Sequence, residues 1–454
     1  ISYVDTISLV MQPSLTRIAP REAPNHKVRC MHRKASISLW DASAVEDDYT
    51  NPLDGDVTVD VAIVGGGFTG LSTALHCAEQ GLSAHVLEAN HIGFGGAGRN
   101  VGLVNAGVWH PPAKVREKLG DTYGPRFVQR FGEGPEKVFS LIERHHMRCE
   151  VTRTGTIHAA HAPSGFADLK MRYEEWDRLG APVQLLGREE VAEKTGTKAF
   201  YGGLIDGRAG TINPMGYCRG LARAAKGAGS QISTGVRAQK LNKTDQGWII
   251  HTSHGQVTAR YDVLGTNAYT DDLWPGLNST FTKIHYFQLA TAPLGDRVHD
   301  ILPERQGRWD TGKIMFSLRR DMEDRLIIGS MGTILGSVGR GLSHRWARKQ
   351  LARLFPDLGP VTFEEAWHGQ IAMTPDHLPR IHQLDDGLYT SIGYNGRGIT
   401  TGTLIGEAIS GLLTGADPKD LPLPNTEVTS VASAPIMSRL YQTAFTANQI
   451  LKAI

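Results

Sequence analysis

The chain has 454 residues, about three times a typical domain, which is length enough for two interleaved domains or one very large one with a substantial core. Its 48 lysines and arginines nearly balance 46 aspartates and glutamates, without a basic block or aromatic-interleaved basic stripe, so nucleic acid is not the expected partner and a small molecule is. Four scattered cysteines (Cys30, Cys77, Cys149, Cys218) form no Cys-x-x-Cys pair, so no disulfide framework and no metal site are expected. With no apolar run of bilayer length either, the expected protein has no membrane span and is cytoplasmic.

In chain order, residues 1–35 read as a loosely ordered extension. Asp5 interrupts the opening apolar stretch, which makes a poor secretory signal; an amphipathic transit peptide is the alternative, and Met31 is a candidate start. Residues 60–64 form a compact apolar run that breaks into glycines, 71–80 show helical spacing up to Gly81, and 84–87 are a second apolar run, giving a β-turn-α-β unit in a parallel sheet. A polar, helical middle follows, including 132–146 and 166–179. Residues 210–227 lead from a loop into a helix with Pro214 near its start. Short antiparallel strands are expected at 236–241, 247–252 and 256–259, a buried strand at 261–265, and more strands at 287–292, 314–318 and 325–329. Residues 387–392 are strand-like, and 393–398 open a helix over 399–413.

The sharpest motif is Gly65-Gly66-Gly67-Phe68-Thr69-Gly70, placed directly between a strand and a helix. Gly65 allows the tight turn, Gly67 lets backbone approach a pyrophosphate, Gly70 lets helix and strand pack closely, and the helix N-terminus offers free N–H groups to the phosphates. Glu88 ends the second strand, where a carboxylate accepts hydrogen bonds from ribose hydroxyls. The glycines of Gly93-Phe94-Gly95-Gly96-Ala97-Gly98-Arg99-Asn100-Val101-Gly102 favour the extended FAD over a nicotinamide nucleotide.

These segments, with Gly265-Thr266-Asn267-Ala268, Trp367-His368-Gly369-Gln370 and Gly393-Tyr394-Asn395-Gly396-Arg397-Gly398-Ile399, resemble the D-amino-acid oxidase superfamily of FAD enzymes, and within it the gamma-glutamylputrescine oxidoreductase branch. The likeness runs from about residue 36 to 423. It implies an α/β (α+β overall) chain in which a Rossmann-type FAD-binding domain (36–115, 205–275 and 366–425) is interrupted by a mixed or antiparallel-sheet substrate domain (116–204 and 276–365), with a helical tail at 426–454.

The resemblance also implies an FAD site, expected to be noncovalent because no cysteine follows Cys218 and the glycine loop has no cysteine and no histidine past His91. Around the first helix the site comprises Gly65, Gly67, Phe68, Thr69, Gly70, Glu88 and Ala89. The glycine loop adds Gly96, Ala97, Gly98, Arg99, Asn100 and Gly102; Val236, Thr266 and Asn267 follow, and Gly393, Asn395, Gly396, Arg397, Gly398 and Ile399 complete the set. Three positions depart from the branch: Ala97 replaces a serine, Arg397 a histidine and Gly265 an alanine.

The activity implied is oxidation of a C–N bond of a small amine or amino acid, with O2 or another electron acceptor as partner. Candidate catalytic residues are Arg99, Asn100, Arg319, Trp367 and Arg397. Arg99 and Asn100 are expected near the flavin ring, a surface arginine being the alternative for Arg99. Trp109 and His110 are candidates for the substrate side. Arg319 is a candidate carboxylate fork, with a hairpin salt bridge to Asp321 or Asp324 as the alternative. Arg397 is a candidate cation for the flavin N1/C2 edge, or else a solvated arginine beside a helix cap. A same-fold dehydrogenase using a quinone or protein acceptor, and a flavin-binding sensor or subunit without turnover, are the rival readings.

Overall fold

The computed structural model describes residues 37–48 and 50–453; the expected extension, 1–35, lies outside them. Two eight-stranded sheets organise the chain. In the first, strand Val57–Val64 pairs in parallel with Ala84–Glu88 on one side and Gly255–Leu264 on the other. Gln231–Thr234 extends one flank in parallel and Leu388–Ile392 the other, with Arg380–Asp385 antiparallel at the edge. The central strands are near-continuous apolar runs because both faces are covered.

Gly255–Leu264 is one ten-residue strand, where the sequence suggests two. Its first half alternates between buried and part-exposed residues and its end is fully buried, so its period changes without a break. The expected strand at 236–241 begins only at Lys240. Val236 sits in the preceding loop, its N–H donating to Glu88 O.

Helix Phe68–Glu79 follows the first strand and lies against helix Gly398–Leu413, which follows Leu388–Ile392. The two approach closely because Gly402 and Gly406 present no side chain to the partner, and Ser72 Oγ donates to Thr403 O at 2.8 Å. Both helices therefore begin at the same end of the sheet, where open α/β sheets place ligands.

The second sheet runs Phe363–Met373, Thr282–Thr291, Leu326–Met331, Phe316–Arg320, Gly307–Asp310, Thr156–Ala159, Gly203–Asp206, Val183–Leu186. Only the pairing of Gly307–Asp310 with Thr156–Ala159 is parallel. Phe363–Met373 pairs with Thr282–Thr291 almost throughout, so residues 366–373, expected with the nucleotide-binding part, belong to the second sheet; 205–206 do likewise. In Thr282–Thr291, Phe287 and Leu289 point into an apolar core shared with Trp346, which leaves Tyr286 and Gln288 on the opposite face. Helix Ala434–Ala453 packs on this sheet, anchored by the buried Gln449, which accepts from Ser343 and donates to Thr333 O.

Cys77, Cys149 and Cys218 are free and buried. Among the described residues no helix is long and apolar enough to cross a membrane, and no cluster of potential ligands for a metal ion occurs.

Candidate active site

A cavity of about 800 Å³ opens where the two helices begin and extends to the polar face of the second sheet. That falls in the upper part of the range, roughly 300–1,000 Å³, usual for a small-molecule site. At one end lie Gly65, Gly67, Phe68, Thr69, Glu88 and Ala89. Gly67 caps the first helix without a side-chain hydrogen bond, and a Cβ placed on it would meet only Ala97 Cβ, at 3.8 Å. The protein itself does not require glycine there. The open space and uncapped N–H donors suit an anionic group lying across the backbone. By contrast, Gly70 does not line the cavity, and a Cβ on it would collide with Gly65 O.

Glu88 holds this turn together. Its Oε2 accepts from Gly66 N and its Oε1 from Asn90 N, each at 2.8 Å. Burial raises its pKa against those hydrogen bonds. Each carboxylate oxygen retains acceptor capacity for a ribose hydroxyl.

The glycine loop divides by function. Gly96, Ala97 and Asn100 line the cavity. Gly98 and Gly102 do not: a Cβ on Gly98 would strike Met215, and one on Gly102 would strike Ile212 O and Arg319. Asn100 secures the loop, donating to Gly96 O and Ala97 O and accepting from Gly102 N. Four consecutive carbonyls of this loop are held from behind. Ser38 Oγ donates to Gly98 O at 2.7 Å, Trp367 Nε1 to Arg99 O at 2.8 Å, Trp40 Nε1 to Asn100 O at 2.7 Å, and Arg319 Nη1 to Val101 O at 3.1 Å.

This corrects three expected roles. Arg319 is 1% exposed, lies over the Trp40 ring and does not reach the cavity; burial lowers its pKa to about 10. Nor does it make the alternative hairpin bridge, because Arg320 and Arg325 pair with Asp324 and Asp321 instead. Trp367 is buried against Trp40 and Met215. Arg99 lies over the Phe94 ring and donates to Phe94 O and His368 O, tying the loop to the second sheet rather than facing the cavity.

Val236, Thr266 and Asn267 line the cavity, as do Asn395, Gly396, Arg397, Gly398 and Ile399; Gly393 does not. Gly393 N donates to Asn267 Oδ1, and Asn395 Oδ1 accepts from Thr374 N, which fixes the loop ahead of the second helix. Arg397 caps that helix without a side-chain bond and is 9% exposed, so it is not a solvated arginine. Trp109 lines the cavity, its Nε1 donating to Asn395 O; His110 instead contacts Asp376 O.

The far wall was not legible as a site. Tyr286, Gln288 and Trp309 rise from the second sheet, and Tyr441 and Phe445 come from the C-terminal helix. Strand alternation in Thr282–Thr291 was the available signal for Tyr286 and Gln288. Tyr286 Oη, Gln288 Oε1, Thr266 Oγ1 and Arg397 Nε are buried without a partner in the protein, so polar groups converge on this space. Uncapped helix ends, a ribose-side carboxylate and a glycine cradle fit a bound dinucleotide.

The model of the DAO family, FAD dependent oxidoreductase, matches residues 60–412. Gamma-glutamylputrescine oxidoreductase of Escherichia coli (strain K12) is 31% identical over 386 residues, covering 83% of this chain and 89% of that protein. Glycine oxidase of Geobacillus kaustophilus (strain HTA426) is 24% identical over 365 residues, covering 78% and 92%. The crystal structure of glycine oxidase from Geobacillus kaustophilus superposes with a TM-score of 0.65 at 20% identity, over 84% of this chain and 98% of that one. L-proline dehydrogenase from P. horikoshii gives 0.64 at 18% identity, over 80% and 94%. On the family match across most of its length and the shared fold, this chain belongs to the DAO family of FAD dependent oxidoreductases.

Proposed function

We propose that the chain oxidises the C–N bond of a small amine or amino acid to an imine, with O2 as the final acceptor and hydrogen peroxide as its product. The observation that carries this reading is the single cavity joining a glycine-lined helix N-terminus to a wall of unpartnered polar side chains. FAD, when bound, would supply the two-electron acceptor for hydride from the carbon beside nitrogen. Backbone N–H groups at Phe68 and Thr69 would hold the pyrophosphate and Glu88 the adenosine ribose. The uncapped helix start at Gly398 and Ile399 places positive potential at the other end of the cavity, where negative charge develops on reduction.

The reacting amine must be neutral, and the second-sheet end favours that form. Arg172, Lys313 and Arg397 line this region, whereas the acidic lining residues, Glu88 and Asp271, belong to the nucleotide end. Nearby positive charge disfavours an ammonium and lowers the amine's pKa. Tyr286, Trp309, Tyr441 and Phe445 wall the cavity and restrict water around the reacting carbon. Free thiols at Cys77, Cys149 and Cys218 support a cytoplasmic location within this reading.

The test is aerobic incubation of the yellow holoprotein with polyamines, N-methyl amino acids, D-amino acids and cyclic imino acids, measuring peroxide and carbonyl product together. Equimolar peroxide and carbonyl from an amine supports the proposal. Carbonyl product that forms only with an added quinone would replace O2 as acceptor, and no product from any amine would overturn the reading.

A further inference from the structure

Among the described residues, Arg397 is a buried cavity-lining cation that no carboxylate pairs; Lys313, the other unpaired cation of the lining, is exposed to solvent. Arg397 is 9% exposed, its Nε has no partner, and no carboxylate lies within ion-pair distance of it among the described residues. Its neighbours are already engaged. Asp206, the acid whose charge it feels, is held by both arms of Arg208, at 2.9 and 2.7 Å. Arg172, which also lines the cavity, is bonded to Asp168 at 2.7 Å.

The guanidinium is nevertheless held in place. Its carbon lies 4.8 Å from the Trp109 ring centroid and 5.0 Å from that of Trp309, so two aromatic rings hold it by cation–π contact. Both rings are themselves fixed: Trp109 donates to Asn395 O, and Trp309 stacks on His158 with centroids 4.9 Å apart. A planar fork that is rigid, desolvated and unpaired is built to receive a planar oxyanion in a bidentate grip. The cost of burying an unanswered charge is offset when that anion arrives.

We propose that the substrate carries a carboxylate and that Arg397, held against Trp109 and Trp309, is the group that receives it. This rests on the amine-oxidising reading above and narrows it from amines in general to amines that bear an acid group. A plain diamine has no partner here for its second ammonium, since the cavity's acidic lining residues are Glu88 and Asp271 at the nucleotide end. Arg319, whose Nη1 is held by Val101 O and Ile212 O and which does not line the cavity, is not the carboxylate anchor.

The experiment uses FAD-loaded protein and a readout that needs no turnover. Calorimetric titration compares 3-phenylpropanoate with its neutral amide, 3-phenylpropanamide, and with 1,4-diaminobutane. The wild type is expected to bind the acid at least thirtyfold more tightly than the amide and to show no heat with the diamine. Arg397→Gln is expected to abolish the preference for the acid while keeping full FAD content, read from flavin absorbance; Arg397→Lys, which keeps the charge but loses the fork, should retain a preference reduced about tenfold. Equal binding of acid and amide by the wild type overturns the proposal whether or not the variants fold. So does an unchanged preference in Arg397→Gln, or loss of FAD from it, which would assign Arg397 to the cofactor. Failure of the amine-oxidising reading would show separately, as carboxylate binding without product from any amine.

Discussion

Arg319 Nη1 lies 2.6 Å from Ile212 O, and the same nitrogen reaches Val101 O at 3.1 Å, so one guanidinium ties the glycine loop to the approach of helix Pro214–Gly227. Arg319→Met would leave two carbonyls without this donor. At about 1–3 kcal/mol for each buried group left unsatisfied, a loss of roughly 2–6 kcal/mol is expected. Urea unfolding measures it, and carboxylate affinity of the surviving folded protein should stay within about twofold of wild type. Intact stability with lost carboxylate binding would return Arg319 to the substrate site.

Gly67 and Gly70 separate ligand space from packing space. Gly67 has φ −97°, open to any residue, and its Cβ direction points into the cavity. Gly67→Val should fold with the wild-type circular dichroism spectrum and purify colourless, because the branched side chain takes the pyrophosphate's place. Gly70→Ala should instead fail to fold, its methyl meeting Gly65 O. A fully yellow Gly67→Val protein would contradict the site.

Glu88→Gln keeps the side chain's shape but removes the charge offered to ribose and sets an amide nitrogen, which cannot accept, against one of the two N–H groups of Gly66 and Asn90. Hydrogen bonds to charged groups contribute about 1.5–3 kcal/mol, so FAD should bind roughly tenfold to a hundredfold more weakly, as read by fluorescence on flavin titration into apoprotein. An unchanged dissociation constant would free Glu88 from the ribose.

His85 is 2% exposed within the central sheet, with Nε2 at 2.9 Å from Ser233 Oγ, and burial lowers its pKa from 6.5 to about 4. Its folded pKa lies below the unfolded one, so between these values the unfolded chain binds the extra proton. Stability is complete above about pH 6.5 and falls as pH drops toward 4, by about 1.4 kcal/mol per unit. In His85→Gln the stability difference between pH 7 and pH 5 should shrink by about 2 kcal/mol in urea melts; an undiminished difference would mean His85 does not carry it.

The sequence made the nucleotide end legible because its requirements are local. Gly65, Gly67, Gly70 and Glu88 fall within one strand-helix-strand unit, and the loop from Gly393 to Ile399 announces the second helix start. The substrate end was not legible because it is assembled over long separations. Arg319 offers a fork at the hairpin that the sequence could only assign to a ligand or a near neighbour; its actual partners are 218 and 107 residues away. Ser38 and Trp40, at the edge of the expected extension, gave no sign that they hold Gly98 and Asn100. Arg397 was visible as a departure from the family pattern, but the tryptophans that hold it lie in different segments, and only the fold brings Trp109 and Trp309 against it.

The most direct measurement is anaerobic titration of the purified holoprotein with amino acids and amines, following flavin absorbance at about 450 nm. The account predicts stoichiometric bleaching by an amine that carries a carboxylate, with recovery of the band on admitting air. A band that stays at full height with every amine tested, in protein that is fully loaded with FAD, would contradict it.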